Sequence, residues 1–221
     1  MPGMLWWIHI VLGCGLLTPW NSYVTSMDFW TYAFDEGIAD AFSISNFVPN
    51  MLLLLLQLFW FGGRLVPKAV LGFCMYIIAI SFGVWTIIHA NPTDPSWTQE
   101  GGDKELYAAG MIASVFVAGA ACAVLQGALF SFSGQLPPAM VGGLMTGSAL
   151  AGVLTCGCRV VSKMIFAGRE PQQALRDSSL LYMSSSLFVV GAALVCVWLL
   201  VRHPLVKRHL AKREEADPYG G

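Results

Sequence analysis

Charged residues are scarce in this sequence. Asp, Glu, Lys and Arg make up 11% of the 221 residues, whereas soluble globular domains carry about 25%. The formal net charge is −1, so no basic field is present to bind phosphates. This composition excludes an ordinary cytosolic enzyme, a disordered protein and a nucleic-acid-binding protein. The hydrophobic share of 56% instead indicates a polytopic protein whose partner is the lipid bilayer.

The sequence also lacks the residue clusters that catalysis or metal binding requires. All six cysteines lie in apolar stretches and cannot form the disulfide framework of a small secreted protein. The four histidines are scattered, and Cys156-x-Cys158 has no second ligand pair, so we predict no metal site and no cofactor. No Ser/His/Asp set, nucleophile elbow or phosphate-binding loop is found. We therefore expect that the protein is not an enzyme.

Six segments are long and apolar enough to cross a bilayer as helices. A spanning helix needs about 20 apolar residues, and a charge at its centre costs about 2.5–3.5 kcal/mol. None of the segments contains Asp, Glu or Arg, and the one Lys, Lys68, lies near an end. We predict an all-α fold with a six-helix bundle over residues 1–203 and a polar cytoplasmic tail over 204–221, first basic and then acidic. The predicted spans are 4–24, 43–61, 66–89, 107–130, 138–158 and 179–201.

Six spans place both chain ends on one side of the membrane. Lys and Arg are enriched on the cytoplasmic side. The segments after the first, third and fifth spans contain five of them, and the other side contains seven, most densely from Arg202 to Arg213. We therefore predict cytoplasmic termini, with acidic loops around 28–40 and 94–105 facing outward. The segment from Arg159 to Asp177 is too polar to span, and we expect it to lie along the interface or to form a loop.

Small residues recur every four positions in the fourth and fifth spans. Helices in lipid associate where small residues let their backbones approach closely. We expect these two spans to line the interior of the bundle, while the bulky aliphatic runs Met51–Leu56 and Leu194–Val201 face lipid. The small residues are Gly119, Ala123 and Gly127 in the fourth span, and Gly143, Gly147 and Ala151 in the fifth.

The first span contains a group of residues suited to binding. Pro19 removes an amide donor and should kink or loosen the helix. Trp20 offers an aromatic face and Asn21 offers two donors and an acceptor, so together they could stack on and hydrogen-bond a planar heterocycle. The alternative is that Trp20 belongs to the interfacial aromatic belt and Asn21 is a satisfied cap.

Two further polar groups lie at membrane depth, where unsatisfied polar side chains are expensive and are often functional. Gln126 in the fourth span either bonds a neighbouring helix or contacts a ligand. Asn46, Asn50 and Gln57 share one face of the second span, beside Pro49. This face either lines a wet interior or forms a hydrogen-bonded seam between helices.

Two stretches of the sequence resemble the signatures of the equilibrative nucleoside transporters. The first is GCGLLTPWNSYVT, from Gly13 to Thr25 in the first span. The second is LQGALFSFSGQLPPAMVGGLMTGSALAG, from Leu125 to Gly152 across the fourth and fifth spans. Two long signatures in this order and at similar spacing are specific, and the resemblance covers nearly the whole chain.

The resemblance implies half of a major-facilitator-like bundle around a path for a nucleoside or nucleobase. In that family, the Trp and Asn of the first helix border the substrate and the Gln of the fourth contacts the base, which gives these roles to Trp20, Asn21 and Gln126. Leu17 and Val24, one turn on either side of Trp20, would line the same cavity. Leu52 of the second span would do so as well. Transport would be facilitative, and the plasma membrane is the usual location.

This sequence departs from the family in its number of spans. Members commonly have eleven helices, so the six spans here would form an N-terminal half, and the second wall of the path would come from a C-terminal half or a second copy. Two positions also differ: Cys122 stands where the family often has Gly or Ser, and Ser148 stands where it often has Gln. The alternative is a truncated, non-transporting membrane protein that acts as a scaffold or as the half-partner of another chain.

Overall fold

The computed structural model describes residues 2–60, 65–90, 92, 103–204 and 206–207. Six of the seven helices in this part of the chain, all but α2, are long and apolar enough to cross a membrane. The predicted all-α fold with six spans is confirmed, and the chain is an integral, multi-pass membrane protein. The helices are α1 (Pro2–Thr25), α2 (Met27–Phe34), α3 (Ile38–Trp60), α4 (Leu65–His89), α5 (Asp103–Ser133), α6 (Ala139–Phe166) and α7 (Pro171–Arg202).

α1 is the central helix of the bundle. It packs along α6 on one side and α7 on another, and it also contacts α5. α4 connects α7 to α5, and α3 packs against α5. The largest fully buried side chains come from five different helices, which shows that one core holds the bundle together. They include Tyr23, Trp30, Phe42, Phe73, Tyr76 and Met111.

Glycine residues bring α1 and α6 into direct backbone contact. A β-carbon on Gly13 would overlap the backbone carbonyl of Leu144, and a β-carbon on Gly147 would overlap that of Ile10. The helices run in the same direction, because Gly143 lies beside Trp6 near the start of α1 and Gly152 lies beside Asn21 near its end. The small residues of the fifth predicted span therefore form its contact with α1.

The small residues of α5 face a different helix. A β-carbon on Gly119 would overlap the backbone of Asn46 in α3. Ala123 is fully buried, and its carbonyl accepts a hydrogen bond from Gln57 of α3, with 3.0 Å between the atoms. The two small-residue faces are thus buried against α3 and α1 respectively.

α2 occupies a segment that the sequence analysis described as an acidic loop. One face of this short helix buries four apolar side chains: Phe29, Trp30, Ala33 and Phe34. Two ion pairs hold it from outside, one between Asp28 and Arg159 at 2.7 Å and one between Asp35 and Lys104 at 2.5 Å. The acidic residues therefore anchor a helix that covers this end of the bundle.

α6 and α7 extend beyond their predicted spans. The segment from Arg159 to Asp177, expected along the interface or as a loop, instead forms the end of α6, a turn over 167–170 and the start of α7. Hydropathy marks the part of a helix inside hydrocarbon, but a helix continues where its polar side chains find partners. Asp177, for example, pairs with Arg169. Of the predicted tail, residues 205 and 208–221 lie outside the described residues.

Candidate functional site

α1 remains helical through Pro19. Proline has no amide hydrogen to complete the backbone ladder, and two neighbouring hydroxyls add bonds of their own. Thr18 Oγ1 donates to the carbonyl of Cys14 at 2.7 Å, and Ser22 Oγ donates to the carbonyl of Thr18 at 2.9 Å. These bonds satisfy the two buried hydroxyls within α1 itself.

One face of α1 is left open by the surrounding helices. Between Leu12 and Val24, four residues are not buried: Leu17, Trp20, Asn21 and Val24. Their spacing of i, i+3, i+4 and i+7 places them on one side of the helix. These are the four residues of the first span that the resemblance assigned to the substrate cavity, and the fold brings them together on this open face.

Phe47 of α3 completes the surroundings of Trp20. The two rings meet edge to face, with centroids 5.4 Å apart. More than half of the Phe47 side chain is exposed, so this aromatic pair borders open space. The sequence analysis did not identify Phe47. The one sequence feature that could have identified Phe47 is that it directly follows Asn46, the first residue of the polar face of the second span.

Asn21 lies beside the small residues of α6. Its Nδ2 is 4.0 Å from the position that a β-carbon on Gly152 would occupy. One turn earlier, Ser148 Oγ donates to the carbonyl of Leu144 at 3.1 Å and lies 3.4 Å from that of Gly13. The glycine thus leaves room next to the Asn21 carboxamide.

Gln126 belongs to a polar group that joins four helices. Its Nε2 lies 3.5 Å from the sulfur of Cys122, one turn earlier in α5. The Cys122 thiol also interacts with Tyr76 of α4 and Asn50 of α3. Tyr76 in turn donates its hydroxyl to the carbonyl of Leu16 in α1 at 3.0 Å. Gln126 is therefore connected to α1 and α3 through neighbours.

The polar face of α3 forms a seam with α5. Gln57 bonds the α5 backbone, and its carboxamide fills the space where a side chain on Gly127 would lie. Asn46 is buried where its backbone meets Gly119. Of the two interpretations of this face, the helix–helix seam describes these contacts of Gln57 and Asn46.

Leu52 is the predicted site residue that lies on another face. It follows Phe47 by five positions, which rotates it by about 140° around α3 at 3.6 residues per turn. Leu52 is 51% exposed. Leu55 and Leu56, in the run expected to face lipid, are exposed as well. Its assignment to the cavity stays a prediction.

The end of the bundle covered by α2 is rich in charge pairs. Besides the two ion pairs of α2, Arg176 of α7 donates through Nε to the carbonyl of Ile87 at 3.1 Å and through a terminal nitrogen to that of Ile88. These carbonyls lie in the last turn of α4. The described residues contain no group of three His, Cys, Asp or Glu side chains that could hold a metal ion.

Comparison with known proteins gives consistent matches. The family model described as "Nucleoside transporter" matches residues 111–218. Equilibrative nucleotide transporter 8 of Arabidopsis thaliana is 27% identical over 92% of this chain and 50% of its own length. Equilibrative nucleotide transporter 1 of the same plant is 25% identical over 94% and 45%, and equilibrative nucleoside transporter 4 of Homo sapiens is 26% identical over 92% and 35%. The chain thus spans half or less of the length of these relatives.

Proposed function

We propose that the chain belongs to the nucleoside transporter family, to which it is similar over most of its length, and that it forms the substrate-bordering part of a facilitative carrier for nucleosides or nucleobases. The relatives are named as transporters rather than enzymes. Such a carrier moves its substrate down a gradient without covalent chemistry. Its residues need only bind a planar base and provide a polar path through the bilayer.

The open face of α1 is the observation that carries this proposal. α1 is packed against α6 and α7, yet leaves Val24 exposed and Leu17, Trp20 and Asn21 partly exposed. A carboxamide facing hydrocarbon is costly, so this face is better suited to a wet path. In our proposal Trp20 stacks on the base, Asn21 hydrogen-bonds it, and Leu17 and Val24 form apolar walls one turn to either side.

Gln126 is proposed to read the edge of the base. A thiol is a weak hydrogen-bond partner, so the contact with Cys122 leaves most of the hydrogen-bonding capacity of the carboxamide for a ligand. Tyr76 of α4 and Asn50 of α3 lie beside the Cys122 thiol. A base could then contact Gln126 without a rearrangement of the helices.

We also propose a second wall and an orientation for the path. The open face of α1 would be closed by a further helical unit, either a C-terminal half or a second copy of this chain. Both termini would face the cytoplasm of a cell whose plasma membrane holds the protein. The dense Lys and Arg cluster from Arg202 to Arg213 supports this orientation.

Uptake of labelled nucleosides tests the proposal. The chain is expressed in cells lacking their own carriers, alone and with the C-terminal half of a relative, and uptake of adenosine and uridine is compared with that of adenosine monophosphate. We expect saturable nucleoside uptake, and we expect Trp20→Ala and Gln126→Ala each to lower it about tenfold, as the loss of roughly 1.4 kcal/mol of binding would. The orientation is checked with a tag at either end of the chain. If both termini are cytoplasmic, each tag should become accessible only after the cells are permeabilised.

Matched variants separate the site from general damage. Trp7→Ala removes an exposed tryptophan of the same helix, and Gln135→Ala removes an exposed glutamine after α5, so both should transport normally. Leu52→Ala decides whether that residue borders the path or faces lipid. Protein that reaches the surface but takes up no nucleoside in either arm would contradict the proposal and favour the non-transporting scaffold.

A further inference from the structure

The groove between α1 and α6 continues beyond Asn21 towards the end of the bundle that α2 covers. The two helices run in the same direction, and Asn21 lies beside Gly152. Asp28 lies seven residues after Asn21, and Arg159 lies seven residues after Gly152. A terminal guanidinium nitrogen of Arg159 donates to a carboxylate oxygen of Asp28 at 2.7 Å. Because the spacing is the same on both helices, this ion pair lies in register with the contact at Asn21.

The backbone keeps helical hydrogen bonds between α1 and Asp28. The amide of Ser26 donates to the carbonyl of Ser22 at 3.0 Å, and the amide of Trp30 donates to the carbonyl of Ser26 at 3.2 Å. At 1.5 Å per residue, seven residues of helix rise about 10 Å. The Asp28 carboxylate therefore lies on the α6 side of the chain, roughly 10 Å beyond Asn21.

Both members of the ion pair border open space. The Asp28 side chain is 51% exposed and the Arg159 side chain is 37% exposed. On α6, Ser148, Gly152 and Cys156 follow one another at intervals of four, and none of them is buried. The side of α6 next to Asn21 thus stays open as far as Arg159, and the ion pair lies at one end of the same groove.

The ion pair makes this end of the groove electrically neutral. A guanidinium is always positively charged, and its five N–H donors form a planar fork that suits a phosphate. Asp28 accepts from one of these donors and balances the charge. A phosphate monoester carries about −1.5 to −2 charges at pH 7. Such an anion would have to displace the Asp28 carboxylate from Arg159 and would be repelled by it, whereas an uncharged nucleoside would not.

We propose that Asp28 and Arg159 form a charge filter at the entrance of the path, which favours uncharged nucleosides over nucleoside monophosphates. The inference rests on the proposed function, because it assigns charge specificity to the same path. Asp28 repels the phosphate and also keeps Arg159 from binding it. An exposed ion pair adds little to folding stability, and α2 buries four apolar side chains of its own, so variants of the pair should fold.

Displacement of labelled adenosine tests the filter. The complete chain, alone and with the C-terminal half of a relative, is placed in phosphatidylcholine nanodiscs. The concentration of adenosine monophosphate that displaces half of the label is divided by that of unlabelled adenosine. Asp28→Asn leaves Arg159 unpaired and should lower this ratio about tenfold, the smaller end of the effect that a focused charge has on local substrate concentration. Arg159→Gln leaves the carboxylate unpaired and should raise the ratio.

Two sets of controls separate charge from structure. The double variant Asp28→Asn with Arg159→Gln lacks the ion pair but keeps the entrance neutral, so its ratio should lie near that of the wild type. Asp28→Glu keeps the charge and should do the same. Asp35→Asn and Lys104→Gln each break the other ion pair of α2, which reaches α5 instead of α6, and should leave the ratio unchanged.

The outcomes distinguish the filter from the proposed function. The filter is overturned if the single variants Asp28→Asn and Arg159→Gln shift the ratio in the same direction, if neither shifts it, or if Asp35→Asn lowers it equally. A wild-type chain that binds no adenosine in either arm would contradict the proposed function and the filter with it. Adenosine binding with the same ratio in every variant would contradict the filter alone.

Discussion

The contact between α1 and α6 gives the sharpest test of how the bundle is held together. Gly147 lies against the carbonyl of Ile10 with no room for a β-carbon. In Gly147→Ala the two helices would have to separate by roughly 1 Å, because the atom in the way is backbone and cannot rotate aside. Such a gap forfeits about a quarter to a half of the dispersion energy of each contact it opens.

The expected magnitude is the difference between two opposing effects. Replacing Gly by Ala within a helix favours the helix by about 0.8–1.0 kcal/mol, whereas forcing an extra carbon into a tight contact costs about 1–3 kcal/mol. Gly157→Ala, in the same helix, isolates the first effect. Among the described residues, no atom of a neighbour lies within 4 Å of the position that its β-carbon would take. Gly147→Ala should therefore be less stable than Gly157→Ala by about 1–3 kcal/mol.

Thermal unfolding followed by size-exclusion chromatography in detergent measures this difference. For a chain of this size, 1 kcal/mol shifts the melting temperature by roughly 2–4 °C, so Gly147→Ala should melt several degrees below Gly157→Ala. Gly147→Val should melt lower still, because two more methyl groups enter the contact. Equal melting temperatures for Gly147→Ala and Gly157→Ala would refute the close backbone contact of α1 and α6.

Two other contacts lead to predictions of similar size. Tyr23→Phe removes a buried hydroxyl that lies 3.0 Å from both the carbonyl of Ala79 and the hydroxyl of Ser114. This change should lower the free energy of unfolding by about 0.6–1.7 kcal/mol. The control Tyr32→Phe, at an exposed position, should leave it unchanged. Arg176→Gln removes a cation from the carbonyl end of α4 and should speed amide hydrogen exchange in the last turn of α4. The control Lys163→Gln, at an exposed position, should not. Unchanged exchange in Arg176→Gln would show that the arginine does not stabilise this turn.

Sequence patterns were sufficient to predict the spans. Each span depends on a run of about 20 apolar residues, which is a local property that the bilayer imposes. The alignment of Leu17, Trp20, Asn21 and Val24 follows from helical spacing alone. What made these residues candidates was the resemblance to a family, and the structure then left this face of α1 uncovered.

Contacts between distant helices could not be predicted in the same way. Spacing identifies a face of small residues but not its partner. Gly119 and Gly127 meet α3, and Gly143 and Gly147 meet α1, rather than each other. The partner of Trp20, Phe47, likewise depends on how α3 is rotated. α2 was missed because its eight residues are too few to span, and its four apolar side chains became informative only once the core that buries them was known.

The tight packing of α1 would allow this one helix to carry most of the proposed binding face. Gly13 and Gly147 fix its distance from α6, Gly15 lies against Ala193 of α7, and Tyr76 bonds its carbonyl at Leu16. A helix held on three sides cannot rotate, so the side chains on its free side keep one orientation. In the proposed site, Trp20 and Asn21 would then be positioned before a substrate arrives, and binding would not have to supply the free energy of ordering them. Gly147→Ala should therefore weaken nucleoside uptake, although Gly147 belongs to α6 and does not lie on the open face of α1.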